Sequence, residues 1–499
     1  MEIVATYVPR PGAEGLSTEL RRPPDGATAV ELRADLLPAG VELAALAGAC
    51  PLPVVMTLRS RTEGGQGPDE PESRRRFFER AVALPAFAFD LEAARDLDLV
   101  DRVVPRERVI LSTHPPAVPA DLVAQGRELL ARGTLLVKLA PAVSSLDGLL
   151  AVVRAARALN DRPRKERRAV VLATGEAGRA ARLLGPLLGS PLAFAAWGAG
   201  RAAAPGQYMP EEIGALVGHL NAPPRRVYAV LGQPVGGSLS PRMHNAAYRA
   251  LGLPDLFVPI EVQDRAELGR LLQPTGITAL DEVGLRAGGF AVTMPWKEEA
   301  MWCCTTLAPR AARARSVNTA LPRPGMTLGD CTDMDGVVRA LTEAGIDLDG
   351  ARAVVLGAGG SARAAVVALQ GAGCQVAVGA RDAGRAAALA RELNTAVVEP
   401  SEAGRCTLAV NATPAGADGS PSPWLEGLKL APHAAVLDLP YGPGPTVFQS
   451  MAESRHWSYV GGREVLLWQG VAQFAAMTLA MPPVAAMAAA LGLAVEEEA

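Results

Sequence analysis

Lysine is nearly absent from this chain. Of the 49 lysines and arginines in 499 residues, only Lys138, Lys165, Lys297 and Lys429 are lysine, which leaves 45 arginines. Arginine keeps its proton and forms no Schiff base. A lysine retained in such a sequence is therefore a candidate for amine chemistry. Lys165, inside DRPRKERR, and Lys429 read as surface charges, whereas Lys138 and Lys297 sit in other surroundings. Cysteine is sparse too, with six residues scattered singly apart from Cys303-Cys304. That spacing speaks against a disulfide framework and a zinc site, and it fits a reducing cytoplasm; no metal is expected. Long basic runs are missing. The densest is Arg74-Arg75-Arg76, read as one face of a helix, and with a formal net charge of −3 nucleic acid is not an expected partner. The start, MEIVATYVPRPG, lacks a charged segment followed by an apolar core, so no signal peptide is expected. No repeat of fixed period is present, nor a low-complexity tail beyond the final EEEA.

What the chain does have is core-forming material. Hydrophobic residues make up 49% and charged residues 20%, and the length allows two to four domains. The first 220 residues contain eight strand-length apolar runs: EIVATYV, ATAVELRADLL, LPVVMTLRS, AFAFDLEA, RVILSTH, TLLVKLA, AVVLATG and PLAFAAW. Most gaps between them can hold a helix. Eight parallel β/α units in this length predict a TIM (β/α)8 barrel over residues 1–221, with a doubly wound sheet as the rival. After the joint NAPPRR, a second α/β block is expected over 226–345. A dinucleotide-binding Rossmann domain is expected over 346–464, where the strand in ARAVVLGAGGSARAAVVAL turns through glycines into a helix. The Ala- and Met-rich stretch 465–499 reads as two packed helices that complete the second block. Gln469, Gln473 and Pro482-Pro483 speak against a membrane span.

Chemistry in a barrel gathers at the C-terminal ends of the strands. Those ends carry Glu31, Arg33 and Asp35, Arg59, Asp90 and Glu92, His114, and Lys138. An inward strand lysine such as Lys138 would be desolvated, and its pKa should fall toward neutrality, as an amine nucleophile requires. His114, the first histidine in the chain, is the natural proton shuttle. The plain alternatives are a lysine that snorkels from the outer face and a hydrogen-bonded structural histidine.

Together ELRAD (31–35), TLRSRTEGG (57–65), DLE (90–92), STH (112–114), VKLA (137–140), TGEAGRAAR (174–182) and APGQ (204–207) resemble type I 3-dehydroquinate dehydratase over about residues 1–215. The resemblance implies that Lys138 forms a Schiff base with the ketone and that His114 moves the proton. It also implies that Glu92 supports the histidine, Arg182 binds the substrate carboxylate, and Gln207 contacts substrate. Glu31, Arg33 and Arg59 then hold ring hydroxyls and the loop. Two positions depart from the family. Ala203 stands where serine is usual, a missing hydroxyl contact of about 1 kcal/mol, and Pro115 stands where aspartate is common.

In the second half, the glycine turn Gly357, Gly359, Gly360 is where backbone N–H groups can meet a pyrophosphate. Arg381 after the next strand suits a 2′-phosphate, hence NADP (NADPH) rather than NAD, with Asp382 beside it pulling the other way. Asn411-Ala412-Thr413 also spells a glycosylation sequon, which the missing secretion signal discounts. Lys297 in VTMPWKEEA and Asp333 in GDCTDMDG could be a proton donor and its partner, or a surface ion pair. From about residue 226 onward, YAVLGQPVGGSLSP, GFAVTMPWKE, SVNTAL, GDCTD, GAGGSARA, NATPAG, DLPYGPGPT and GREVLLWQG resemble shikimate dehydrogenase. That implies a catalytic pair Lys297 and Asp333. It implies a shikimate pocket of Ser238, Ser240, Thr293, Asn318, Tyr441 and Gln469, and a cofactor side of Gly357, Gly359, Gly360, Arg381, Asn411, Thr413 and Gly462. Ala291, Gly237, Ala380, Asp382 and Cys331 depart from the family pattern.

The two resemblances are to neighbouring steps of one pathway. The leading expectation is a cytoplasmic bifunctional enzyme acting on 3-dehydroquinate, 3-dehydroshikimate and shikimate, with no membrane partner. The rivals are a catabolic enzyme using NAD on quinate, and a silent regulatory binder of the same metabolites. The Pro223-Pro224 joint sets neither the relative orientation of the halves nor an oligomeric state.

Overall fold

The computed structural model describes residues 2–10, 15–273, 276–442 and 444–494. The chain divides into two compact units. One is residues 1–225 with the short segments 254–263 and 282–285; the other is the rest of 226–499.

All eight apolar runs of the first unit are strands: β1 Glu2–Tyr7, β2 Ala29–Arg33, β3 Val54–Thr57, β4 Ala88–Glu92, β5 Val109–Thr113, β6 Leu136–Leu139, β7 Ala169–Val171 and β8 Leu192–Ala196. They form one parallel sheet of order β7-β6-β5-β4-β3-β2-β1-β8. The β1–β8 ladder curls the sheet into a nearly closed barrel, so the doubly wound rival is excluded. Strands alternate their side chains between faces. Val55, Ala88 and Ile110 form one inner apolar cluster, and Val4, Ala140, Val170, Leu172 and Phe194 another, with Leu136 packed against both. Two residues further along the same face of each strand come Thr57, Asp90, Ser112 and Lys138. Lys138 thus points inward because Leu136 and Ala140 do. The surrounding helices start conventionally: Asp121 and Ser145 cap helices Leu122–Leu130 and Leu146–Leu159 through bonds from Ala124 N and Gly148 N.

One reading of the sequence is corrected here. Arg74-Arg75-Arg76 is not one face of the helix Pro71–Ala81, since consecutive helical residues point about 100° apart. Arg75 and Arg76 face outward, but Arg74 is fully buried. It grips Asp96 with two bonds, of 2.7 and 2.6 Å, and donates to the carbonyl oxygens of Leu58 and Pro68.

Residues 226–499 form two further sheets. The first has order β10-β9-β11-β13-β14-β12, with β9 Arg226–Gly232, β10 Asp255–Glu261, β11 Ala287–Val292, β12 Thr306–Leu307, β13 Thr319–Arg323 and β14 Met326–Asp330. The second is parallel, of order β17-β16-β15-β18-β19-β20, with β15 Arg352–Leu356, β16 Gln375–Gly379, β17 Ala396–Val397, β18 Leu408–Asn411, β19 Ala435–Asp438 and β20 Ser458–Val460. Counted within that sheet the order is 3-2-1-4-5-6, the Rossmann arrangement. Its ligand crevice lies where the order reverses, beyond the ends of β15 and β18. The Ala- and Met-rich stretch is two helices, Gly462–Thr478 and Val484–Leu491, so it begins three residues before the expected start at Val465. Residues 495–499 of that stretch, the EEEA end included, lie outside the described residues. Among the described residues no helix is long and apolar enough to cross a membrane.

Replacing Arg74 by alanine leaves Asp96 buried without its cation. The barrel's unfolding transition in urea should lose about 3 kcal/mol, the scale of a broken buried pair, while Arg76→Ala on the exposed face should change it by less than about 0.5 kcal/mol.

Candidate active sites

Cation and carboxylate alternate across the mouth of the barrel. Arg59, on the loop after β3, donates to Asp90 Oδ1 at 2.8 Å, Glu92 Oε1 at 3.2 Å and Ser112 Oγ at 3.1 Å. Lys138 Nζ donates to Asp90 Oδ2 at 2.6 Å, lies 3.6 Å from Glu31 Oε1, and sits 4.3 Å from the centroid of the Phe194 ring. Glu31 is in turn held by the hydroxyls of Thr6 and Thr57. The apolar surroundings suggested by LLVKLA are thus half of this lysine's environment; the inner face of the barrel adds two carboxylates. Burial opposes the charge on Asp90, but Arg59 and Lys138 outweigh it and hold the carboxyl well below the usual carboxylate range.

His114 Nδ1 shares a 2.9 Å hydrogen bond with Glu63 Oε2. Here the structure corrects the expected role of Glu92. Its Oε1 accepts from Arg59 and from the backbone N of Ser60, its Oε2 lies 3.6 Å from Arg74, and it does not line the cavity. Glu63 reaches the histidine because the loop folds back. A Cβ at Gly65 would fall 2.3 Å from the carbonyl oxygen of Arg59, so only glycine lets the backbone approach this closely. The EGG of TLRSRTEGG was the available signal, and it was read as part of the motif without a role for its acid. Burial, then Glu92, pushes Glu63 up to about 7. Burial, then Arg59 and Lys138, hold His114 well below its ordinary value, so its imidazole is neutral at pH 7.

These groups border a cavity of about 390 Å³ lined also by Arg33, Arg182, Ala203 and Gln207. Arg33 forms a fork on Asp35, at 2.9 and 2.7 Å. Gln207 Oε1 accepts from the backbone N of Ala203 and of Ala204, so this side chain shapes the loop as well as facing the cavity. Arg182 is different. It is buried, no carboxylate among the described residues pairs with it, and its Nε has no hydrogen-bond partner. Burial pushes it down to about 10. A buried unpaired guanidinium facing a cavity is built for an anionic ligand.

The second unit brings Lys297 and Asp333 together at 2.6 Å, Nζ to Oδ2. Lys297 also donates to Ser361 Oγ at 3.0 Å. Asp333 Oδ1 accepts from Asn318 Nδ2 at 2.9 Å, and the same amide lies 3.2 Å from Gln469 Oε1. Ser238, Ser240, Thr293, Asn318, Tyr441 and Gln469 all line one cavity of about 190 Å³ with this pair, together with Ala291. Burial pushes the Tyr441 phenol up. An adjoining cleft of about 430 Å³ is lined by Gly357, Gly359, Gly360, Arg381, Asp382, Arg385 and Thr413. The two cavities share Thr293, Lys297 and Ser361.

Two expected cofactor residues lie elsewhere. Asn411 is fully buried below the cleft: Nδ2 donates to Asp438 Oδ1 at 2.8 Å, and Oδ1 accepts from the N and Oγ1 of Thr413. It braces the turn that presents Thr413, and its burial closes the glycosylation sequon. Gly462 borders the smaller cavity, not the cleft. Arg385 is not among the expected residues; its place in the first turn of the helix, four residues after Arg381, is the signal that marks it. Asp382, the residue that clouded the nucleotide choice, uses Oδ1 to cap the helix Ala383–Glu392 by accepting from Arg385 N at 3.0 Å.

Comparison with known proteins gives matches in both units. Residues 4–221 match the family described as type I 3-dehydroquinase, and residues 230–320 match the shikimate dehydrogenase substrate binding domain. A shikimate dehydrogenase (NADP(+)) of Thermus thermophilus is 38% identical over 255 residues, covering 51% of this chain and 93% of that protein. One of Rubrobacter xylanophilus is 39% identical over 275 residues, covering 52% and 94%. A pentafunctional AROM polypeptide of Komagataella phaffii is 27% identical over 490 residues, covering 92% of this chain and 31% of that one.

The raised Glu63 carboxyl makes a signed prediction. A carboxyl that titrates near 7 when folded and near 4.5 when unfolded binds more protons in the folded state between those values, so its contribution to stability falls as pH rises through that window. Glu63→Gln removes the effect. The variant and the parent should match in stability near pH 4.5. The variant should gain, up to ~3 kcal/mol, by pH 7.5, as read by urea unfolding across pH.

Proposed function

The chain belongs to the shikimate dehydrogenase family and carries a type I 3-dehydroquinase domain, and on that premise we propose one enzyme with two successive activities: dehydration of 3-dehydroquinate to 3-dehydroshikimate in the barrel, then NADPH-dependent reduction to shikimate in the second unit. The observation that carries the first step is a buried lysine, a neutral histidine and an unpaired arginine facing one cavity. Arg182 takes the substrate carboxylate. Lys138, released from Asp90 and deprotonated, attacks the ketone; loss of water gives the imine, which draws electrons from the neighbouring carbon. His114, already neutral, removes the proton from that carbon and returns it to the departing hydroxyl, which leaves as water. Glu63 holds the imidazole through Nδ1 and leaves Nε2 for this transfer. Hydrolysis of the imine frees the ketone and restores Lys138.

In the second unit the nicotinamide cofactor supplies the hydride. The residues of the cleft fit such a group. The Gly357–Gly360 turn leads into the helix Gly360–Gly371, where backbone N–H groups favour phosphate. Arg381 and Arg385 line the cleft where a 2′-phosphate belongs, and Asp382 is engaged as a helix cap instead of offering an acceptor to a 2′-hydroxyl. That supports NADP over NAD. Lys297 Nζ gives the proton to the substrate oxygen, Asp333 holds the ammonium in place, and Asn318 holds Asp333.

Purified protein given 3-dehydroquinate and NADPH should oxidise NADPH steadily without added dehydratase; silence with 3-dehydroquinate but activity with 3-dehydroshikimate would refute the barrel's part. Borohydride added with 3-dehydroquinate should leave a covalent mass on Lys138, and Lys138→Ala should gain none. Arg381→Ala should lower the preference for NADP over NAD at least about tenfold, the loss of one charge-assisted contact, as measured by the ratio of kcat/KM values.

A further inference from the structure

We propose that the Ser361 hydroxyl is a positioning group for Lys297, one that aims the lysine's remaining N–H bond at the substrate oxygen. The inference rests on the reading above, in which Lys297 and Asp333 form the proton-transfer pair. An ammonium has three N–H donors. Asp333 takes one at 2.6 Å and Ser361 takes another at 3.0 Å, which leaves a single N–H for a ligand. With Asp333 alone, the ammonium could still turn about the axis of that one contact. Two contacts from different parts of the fold remove the rotation, so the third N–H has one direction.

The place of Ser361 in the fold supports this. It is the second residue of the helix Gly360–Gly371, in the first turn after the glycine Gly359. It lines both the smaller cavity and the adjoining cleft, as Lys297 and Thr293 do. The backbone beside it is packed on the lysine stem: a Cβ at Gly360 would fall 2.8 Å from Lys297 Cβ. The turn that receives the cofactor phosphates therefore also sets the lysine.

The test uses the full chain, with shikimate and NADP+ as probes. Wild type, Lys297→Met, Ser361→Ala and Ser361→Thr are compared by kcat, by KM for shikimate and by the Kd for NADP+ from fluorescence titration. Lys297→Met should lose activity at least about a hundredfold, the scale of removing a proton-transfer group; if it keeps the parent rate, the reading of the pair fails and this proposal with it. Given that loss, Ser361→Ala should lower kcat about tenfold with KM and Kd within about twofold, and Ser361→Thr should recover most of the rate. A kcat for Ser361→Ala within about twofold of the parent would overturn the proposal. A defect confined to the NADP+ Kd, or a threonine variant as slow as the alanine one, would overturn it equally.

Discussion

Charge inside a barrel has to be matched within a few ångströms, because the strands exclude the water that would otherwise solvate it. The Lys138–Asp90 pair meets that requirement, and much of the first unit follows from it. Asp90 is shared between two cations, with Lys138 on one carboxylate oxygen and Arg59 on the other. Arg59 in turn draws in Glu92 and leaves Glu63 at the rim, where the accumulated negative charge and the burial raise its carboxyl. That raised acid is the one at His114. The neutral imidazole and the Lys138–Asp90 pair are thus parts of one electrostatic arrangement. Arg182 stands outside it, with no carboxylate partner among the described residues, and in the proposed reaction the substrate carboxylate takes that place.

The second unit solves a related problem with fewer charges. Lys297 and Asp333 lie at the junction of two cavities, and neutral amides and hydroxyls do the fixing: Asn318 on the aspartate, Gln469 against Asn318, Ser361 on the lysine. Helix Gly462–Thr478 supplies Gln469 and Gln473, and Gln473 ties it to β13 through the Asn318 carbonyl and the Thr319 hydroxyl. Helix Gly462–Thr478 is therefore part of the site's support. In both units the scarce residue type, lysine, stands at the centre of a cavity with a carboxylate on its ammonium.

How far the site could be read from the residues depended on what kind of contact was at issue. Lys138, His114, Arg182, Lys297 and Asp333 were legible because their types carry chemistry and their motifs are ordered along the chain. The partner of His114 was not. Glu63 and Glu92 both lie in quoted motifs, and only the fold-back of the loop over Gly65 brings one of them to the histidine. Asn411 and Gly462 fall in the right motifs with the wrong neighbours for the same reason: a motif marks a turn, whereas the direction of a side chain depends on what packs beneath it. Arg74 reads in the sequence as one of three arginines on a single helix face, and Asp96, 22 residues away, makes it a buried residue.

The order of elements is legible along the chain, since eight strand-length apolar runs separated by helix-length gaps favour a parallel barrel and a glycine turn between strand and helix favours a Rossmann sheet. So are the residue types able to carry chemistry. Tertiary structure alone decided which of them meet. Hydrogen bonds and ion pairs form over about 3 Å, and residues 30 to 150 positions apart are brought to that range only when sheets close and helices pack; no spacing along the chain records it.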